Sequence, residues 1–288
     1  MPPLLSGPTV TTQWLADHLG SDDLVVLDAT VLVMRDSSGA RKYLSGRERH
    51  LVDGHIPGAV FADLLDVFSD PDGTHPFTRP DAVVVERAAA SVGIRESTAV
   101  VVYDSGGGVW AARLWWLLLG FGFETVAVLD GGLTAWLVEG RDTDAGAVEA
   151  RIGGIVASEK PGIWADKSQV ERIVAGSDPG VLVCALPPGE FRGTTGSNRR
   201  PGHLPGSVNV PAAHLVERGS RTFLEPRALL ALYPRAVSDG ERVIAYCGEG
   251  VAAAATALSL VLAGRPNVMV YDGSLDEWAA DPSAPRVV

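Results

Sequence analysis

The chain is written twice, and any fold proposed for it must accommodate one order of motifs two times over. GHIPGAV at Gly54–Val60 returns as GHLPGSV at Gly202–Val208, VVVYD at Val100–Asp104 as RVIAYC at Arg242–Cys247, and VLDGGLTAW at Val128–Trp136 as VYDGSLDEW at Val270–Trp278. The spacings agree: Asp130 to Trp136 and Asp272 to Trp278 are each six residues, and Asp104 to Asp130 is 26 where Cys247 to Asp272 is 25. A period of 148 residues, His55 to His203, is far too long for a solenoid unit and suits duplication of a whole domain. With 288 residues and 46% hydrophobic content, two ordinary cores are within reach. Residues 141–161 are rich in Gly, Ala and charge and poor in large apolar side chains. The expected division is therefore 1–145, a linker at 146–160, and 161–288.

Within each half, β-branched runs bounded by turn residues alternate with helical patterns. Leu24–Leu27, Val100–Tyr103 and Thr125–Leu129 read as strands, answered by Val181–Cys184, Arg242–Tyr246 and Val268–Tyr271. Helices are expected over Thr12–Leu19, Pro80–Val92, Ala111–Leu119, Asp166–Ala175, Pro226–Tyr233 and Ala252–Leu262. The alternation implies an α/β fold in which each half is a mostly parallel sheet flanked by helices on both faces.

Composition narrows the function. A net charge of −11 with no Lys/Arg cluster beyond short pairs gives no phosphate-backbone footprint, so no nucleic-acid partner is expected, and an anionic surface disfavours anionic membranes. The longest apolar run, Val109–Phe123, is broken by Arg113 and is too short to span a bilayer. The start, MPPLLSGPTV, lacks the basic flank and apolar core of a signal peptide. Two cysteines make no disulfide framework, and no Cys/His spacing fits a zinc site. The expected compartment is a reducing cytoplasm, with no metal or organic cofactor.

One of those cysteines stands where chemistry is expected. In parallel α/β folds ligands sit beyond the carboxyl ends of the strands, and Cys247 lies there, between the strand Arg242–Tyr246 and a helix starting about four residues later. Gly248, Glu249 and Gly250 must curl the backbone around the sulfur, turning N–H groups inward as an anion nest at a helix N-terminus. That environment is expected to yield a thiolate at neutral pH; the bland alternative is a small core residue. A nucleophilic cysteine in such a nest suits phosphoryl transfer or sulfur transfer through a persulfide. Phosphoryl transfer needs a guanidinium to clamp the phosphate, whereas Gly, Glu, Gly, Val and four alanines follow Cys247 and Glu249 repels a dianion. A persulfide, with one charge on one outer sulfur, fits better.

The duplicated GHIPGA/GHLPGS turns, the two DG(G/S)xxxW segments, ARLWWLLLGFG, EFRGT at Glu190–Thr194 and CGEGVAA together resemble the tandem-domain rhodanese family, the thiosulfate and 3-mercaptopyruvate sulfurtransferases, from about Thr12 to Trp278. The resemblance implies two rhodanese-like domains, a non-catalytic first one with Asp104 in the cysteine position, and a catalytic second one. Cys247 then takes a sulfane sulfur from thiosulfate or 3-mercaptopyruvate and gives it to cyanide, a thiol or a protein acceptor. The loop residues Gly248, Glu249, Gly250, Val251, Ala252 and Ala253 would hold the substrate, with Arg199 and a substrate-facing His55 beside Glu249. A carrier or binding module with weak turnover is the competing reading, and a cysteine phosphatase the third.

The chain departs from the family where substrate anions are gripped. Members carry Asp-x-Arg after the first strand of the catalytic domain and another arginine before the Phe of the EFRGT-like stretch; here those places read Cys184-Ala185-Leu186 and Glu190. Glu249 replaces a hydroxyl in the loop, which predicts slower turnover with small anionic donors than with a neutral donor or a protein persulfide. His55 and His203 recur in the repeated turns, where fixing the turn is the simpler role. Cys184 reads as a buried strand-end residue, with a resolving role toward Cys247 as the alternative.

Overall fold

The β-branched runs form the centres of two five-stranded, all-parallel sheets with one strand order between them. The computed structural model describes residues 2–37, 41–196 and 200–288. Its strands are β1 (Thr9–Val10), β2 (Leu24–Asp28), β3 (Val31–Arg35), β4 (Arg41–Ser45), β5 (Val60–Phe61), β6 (Ala99–Tyr103) and β7 (Val126–Leu129), then β8 (Trp164–Ala165), β9 (Val181–Cys184), β10 (Val208–Asn209), β11 (Val243–Tyr246) and β12 (Val268–Tyr271). The first sheet runs β1-β7-β6-β2-β5 and the second β8-β12-β11-β9-β10, while β3 and β4 pair separately. The central strands β6 and β11 are buried at every position, as strands covered on both faces must be.

The helices are α1 (Thr12–His18), α2 (Arg47–Val52), α3 (Ala82–Ser91), α4 (Val109–Gly120), α5 (Gly132–Val138), α6 (Lys167–Val174), α7 (Pro188–Phe191), α8 (Pro226–Ala231), α9 (Arg235–Ser238), α10 (Val251–Leu262) and α11 (Ser274–Ala280). Several starts are written in the side chains: Thr11 accepts from Trp14 N–H, and Asp166 and Gln169 close a capping box on α6. α4 and α10, which follow the central strands, instead start from left-handed glycines, Gly108 and Gly250. The apolar run that holds α4 is a buried helix whose Arg113 donates to the Phe77 carbonyl. Among the described residues no helix is long and apolar enough to cross a membrane.

The chain forms two compact units, and two segments lie with the opposite half. The first unit contains residues up to Val33, 43–160 and 217–223; the second contains 34–42, 161–216 and 224–288. The segment read as a linker is held on the first unit: Ala157 N–H donates to Glu86, Arg151 pairs with Asp22, and Lys160 with Glu124.

The repeated motifs fasten the same joints in each unit. The Tyr103 hydroxyl accepts from Ile56 N–H at 3.2 Å and the Tyr246 hydroxyl from Leu204 N–H at 3.1 Å, tying each Gly-His-x-Pro-Gly turn to its central strand. The two histidines bond backbone carbonyls through Nδ1, His55 to His50 and His203 to Phe191, both at 2.8 Å. Trp136 and Trp278 donate to the carbonyls of Asp142 and Pro285. These residues recur because they hold the fold.

Candidate functional site

Cys247 lies immediately past β11, and its loop is shaped from both sides. Gly250 takes φ 76° and caps α10; a Cβ there would sit 2.6 Å from the Asp272 carbonyl oxygen, so both conformation and space demand glycine. On the other side, the N-terminus of α11 receives the loop carbonyls: Leu275 N–H donates to Cys247 and Asp276 N–H to Gly248, both at 3.1 Å. Ser274, at φ 48° and fully buried, accepts the Cys247 N–H at 3.0 Å while donating to the Tyr271 carbonyl. With its own amide and carbonyl engaged, the Cys247 backbone is fixed and its sulfur is aimed inward.

Three amide N–H groups, from Glu249, Ala252 and Ala253, converge on that sulfur. They favour the thiolate, but burial and the nearby Glu249 charge outweigh them and push the Cys247 thiol above its ordinary value. The thiolate expected at neutral pH is thus corrected: at 1% exposure the sulfur loses more hydration than three amides return.

The first unit carries the same loop with an anion built in. Asp104 Oδ1 accepts from Gly106 N–H at 2.7 Å and Gly108 N–H at 2.9 Å, and Oδ2 from Trp110 and Ala111 N–H, both at 2.9 Å. Leu133 N–H donates to the Asp104 carbonyl at 3.0 Å, as Leu275 does to Cys247. The repeat therefore shows what this strand-loop-helix turn accepts, one negative group bound by backbone amides alone. Gly132 stands where Ser274 does, so the hydroxyl belongs to the cysteine-bearing half.

A guanidinium does reach the loop, from outside it. Arg41, on the segment 34–42 of the second unit, bonds Glu190 Oε1 through Nη2 at 2.5 Å, and its Nη1 lies 3.9 Å from Glu249 Oε2. Arg35 stands 3.8 Å from Glu190. Glu190 is 8% exposed and Glu249 16%, so two acids and two arginines form a cluster that meets the Cys247 loop through Arg41 and Glu249. Sequence reasoning noticed the glutamate where the family has arginine but missed Arg41, which no motif or spacing ties to a residue 149 positions away. Ser274 was missed too, although the one-letter difference between DGG and DGS in the repeat pointed to it.

The remaining expected site residues fall as follows. Gly248 through Ala253 form the loop and the first turn of α10, and Gly248 is buried. His55 is fully buried in the first unit, stacked on His50 at 3.9 Å, so the substrate-facing role given to it is corrected: its ring holds the turn. Arg199 lies outside the described residues. Arg192 is exposed, and Arg200 donates to the carbonyls of Asp281 and Ala284 near the C-terminus. Cys184 is in register with Tyr246, so the pleat turns it away from the face that Cys247 takes up, and burial pushes its thiol up to about 12. Among the described residues no group of His, Cys, Asp and Glu is arranged to hold a metal.

Comparison with known proteins accords with this geometry. The profile of the rhodanese-like domain matches residues 11–139 and 177–281, one match in each half. The chain belongs to the rhodanese family. It is similar to the 3-mercaptopyruvate sulfurtransferase of Escherichia coli K12, 33% identical over 282 residues that cover 96% of each chain. The Homo sapiens 3-mercaptopyruvate sulfurtransferase is 32% identical over 288 residues, covering 96% of this chain and 93% of the relative. The crystal structure of Escherichia coli SseA superposes with a TM-score of 0.81 at 31% identity, over 93% of this chain and 99% of that one. This rhodanese is a sulfurtransferase.

Proposed function

We propose that Cys247 is the sulfur-carrying residue, taking a sulfane sulfur from 3-mercaptopyruvate or thiosulfate and passing it to a thiol, cyanide or a protein acceptor, with the second half catalytic and the first half not. The observation that carries this reading is the convergence of the Glu249, Ala252 and Ala253 amides on the Cys247 sulfur. In the first step the Cys247 thiolate attacks the donor sulfur. An S–S bond forms, the donor's C–S or S–S bond breaks, and the electron pair leaves with a keto-acid enolate, later protonated on carbon, or with sulfite. In the second step the acceptor attacks the outer sulfur, restoring the Cys247 thiolate and releasing a persulfide or thiocyanate.

The loop suits the intermediate better than the resting thiol, because a persulfide is the stronger acid and its charge lies on the outer atom. A phosphatase reading is disfavoured: the loop carries no arginine, and Glu249 stands beside the sulfur. The loaded first-unit loop, occupied by Asp104, supports a scaffold role for that half. Both cysteines are free, which fits a reducing compartment such as the cytoplasm.

Cyanide-dependent thiocyanate release, followed separately with 3-mercaptopyruvate and thiosulfate, tests the assignment. Wild-type protein is expected to turn over with at least one donor and Cys247→Ser with neither. Activity retained by Cys247→Ser rejects the assignment, and one turnover without continued release marks a carrier.

A further inference from the structure

The first unit holds a buried acid and imidazole that its fold does not require. Asp28, at the end of β2, accepts from His50 Nδ1 at 3.0 Å through Oδ2, and from the Thr30 hydroxyl and amide at 2.6 and 3.0 Å through Oδ1. Neither side chain of the pair is more than 3% exposed. In the second unit Cys184 takes the register beside Tyr246 that Asp28 takes beside Tyr103, so the same joint closes without an acid. A buried ion pair is weak evidence of stabilisation, and this one lines a cavity.

That cavity, of about 240 Å3, opens beyond the carboxyl ends of β2 and β6, between α2 and α5, where parallel sheets receive ligands. It is smaller than the roughly 300 to 1,000 Å3 that drug-sized ligands fill, which suits a smaller molecule. The hydroxyls of Ser105, Thr134 and Thr143 line it beside His50, and among the described residues none of the three has a hydrogen-bond partner. Asp28 keeps the imidazole proton on Nδ1, which leaves Nε2 as an acceptor. Arg49 and Asp53 stand at the mouth, 3.9 Å apart and more than half exposed, and Leu133 and Leu137 of α5 add an apolar wall. An anion entering here meets two acids and one arginine, and a simple cation leaves Arg49 unmatched. An α-amino acid carries a carboxylate and an ammonium side by side, as Arg49 and Asp53 stand.

We propose that this cavity binds a small α-amino acid with a hydroxyl or thiol side chain. Its carboxylate lies on Arg49, its ammonium on Asp53, and its side-chain hydrogen is donated to His50 Nε2 among the free hydroxyls. Every lining residue belongs to the first unit, so binding is independent of Cys247.

Calorimetric titration of the full chain with L-serine, L-alanine, pyruvate and glycerol tests the site. L-Serine is expected to bind once per chain with Kd on the order of 0.1–1 mM, as befits a ligand of so few atoms. L-Alanine, which leaves Nε2 without its donor, should bind at least about 10-fold more weakly, and pyruvate and glycerol not at all. Arg49→Met and Asp53→Asn alter exposed side chains and should each weaken serine about 10-fold. Leu137→Trp fills the mouth from a half-exposed position and should abolish binding, and the nearly isosteric Thr134→Val must weaken it as well. The His50 imidazole resonances should move on serine addition in wild type and in Cys247→Ser alike. No heat from L-serine at tens of millimolar, equal affinity for L-alanine, or binding that survives Leu137→Trp would each overturn the proposal. Loss of serine binding in Cys247→Ser would place the ligand at the cysteine loop and overturn it too.

Discussion

At Cys247 the decisive balance is between amides and water. Three backbone donors pull the thiol toward ionisation, while burial and Glu249 push it back harder. Because the folded-state value is raised, the thiol is the resting form at neutral pH, and the rate of persulfide formation should climb as pH rises toward and beyond the ordinary cysteine range. Glu249→Gln removes one of the two opposing causes. Its pH-rate profile is expected to lie to the acid side of wild type, read by single-turnover loading or by thiolate ultraviolet absorbance; an unmoved profile contradicts the electrostatic role of Glu249. Ser274 sets the same residue's backbone. Ser274→Gly, which copies Gly132 of the other half, keeps the left-handed φ but leaves a buried Cys247 N–H without its acceptor, at a cost of about 1–3 kcal/mol, partly offset by relief of backbone strain. A denaturant melt equal to or above wild type would show that the hydroxyl contributes nothing.

The strand-loop-helix element is the same in both halves, filled by a carboxylate in one and a sulfur in the other. Asp104 takes four amide bonds at 1% exposure. Asp104→Ala therefore strands two buried donors, the Trp110 and Ala111 amides, beside two less buried ones, and is expected to cost on the order of 2 kcal/mol or more, seen as early unfolding of the first unit in urea; a loss under about 0.5 kcal/mol would mean the loop does not need its anion. The central strands and long helices were legible because β-branched runs and turn residues bracket them, and each predicted strand is found within a residue or two. The edge strands β1, β5, β8 and β10 were not: two residues each carry no periodicity, and their pairing is set by neighbours remote in sequence. The short helices α5 and α11 begin inside the DG(G/S) turns and were hidden for the same reason.

For the whole molecule, duplication was legible from motif order alone, and with it the location of Cys247 at a strand's carboxyl end. The partition was less so, since the placement of 34–42 with the second unit and 217–223 with the first depends on packing that leaves no pattern in composition. Arg41 belongs to one of those segments, which is why a guanidinium beside the loop went unseen while its absence from the family positions was plain. The histidine of each repeated turn bonds a backbone carbonyl, as expected of a residue kept in the half that has Asp104 for cysteine, whereas the substrate-facing role also given to His55 does not fit its full burial. The central claim is that Cys247 carries sulfur, and intact-protein mass after incubation with 3-mercaptopyruvate or thiosulfate tests it most directly. The account predicts a gain of one sulfur on wild type, none on Cys247→Ser, and discharge by cyanide. An unmodified mass with both donors, while Cys247 is alkylated by a small reagent, would contradict it.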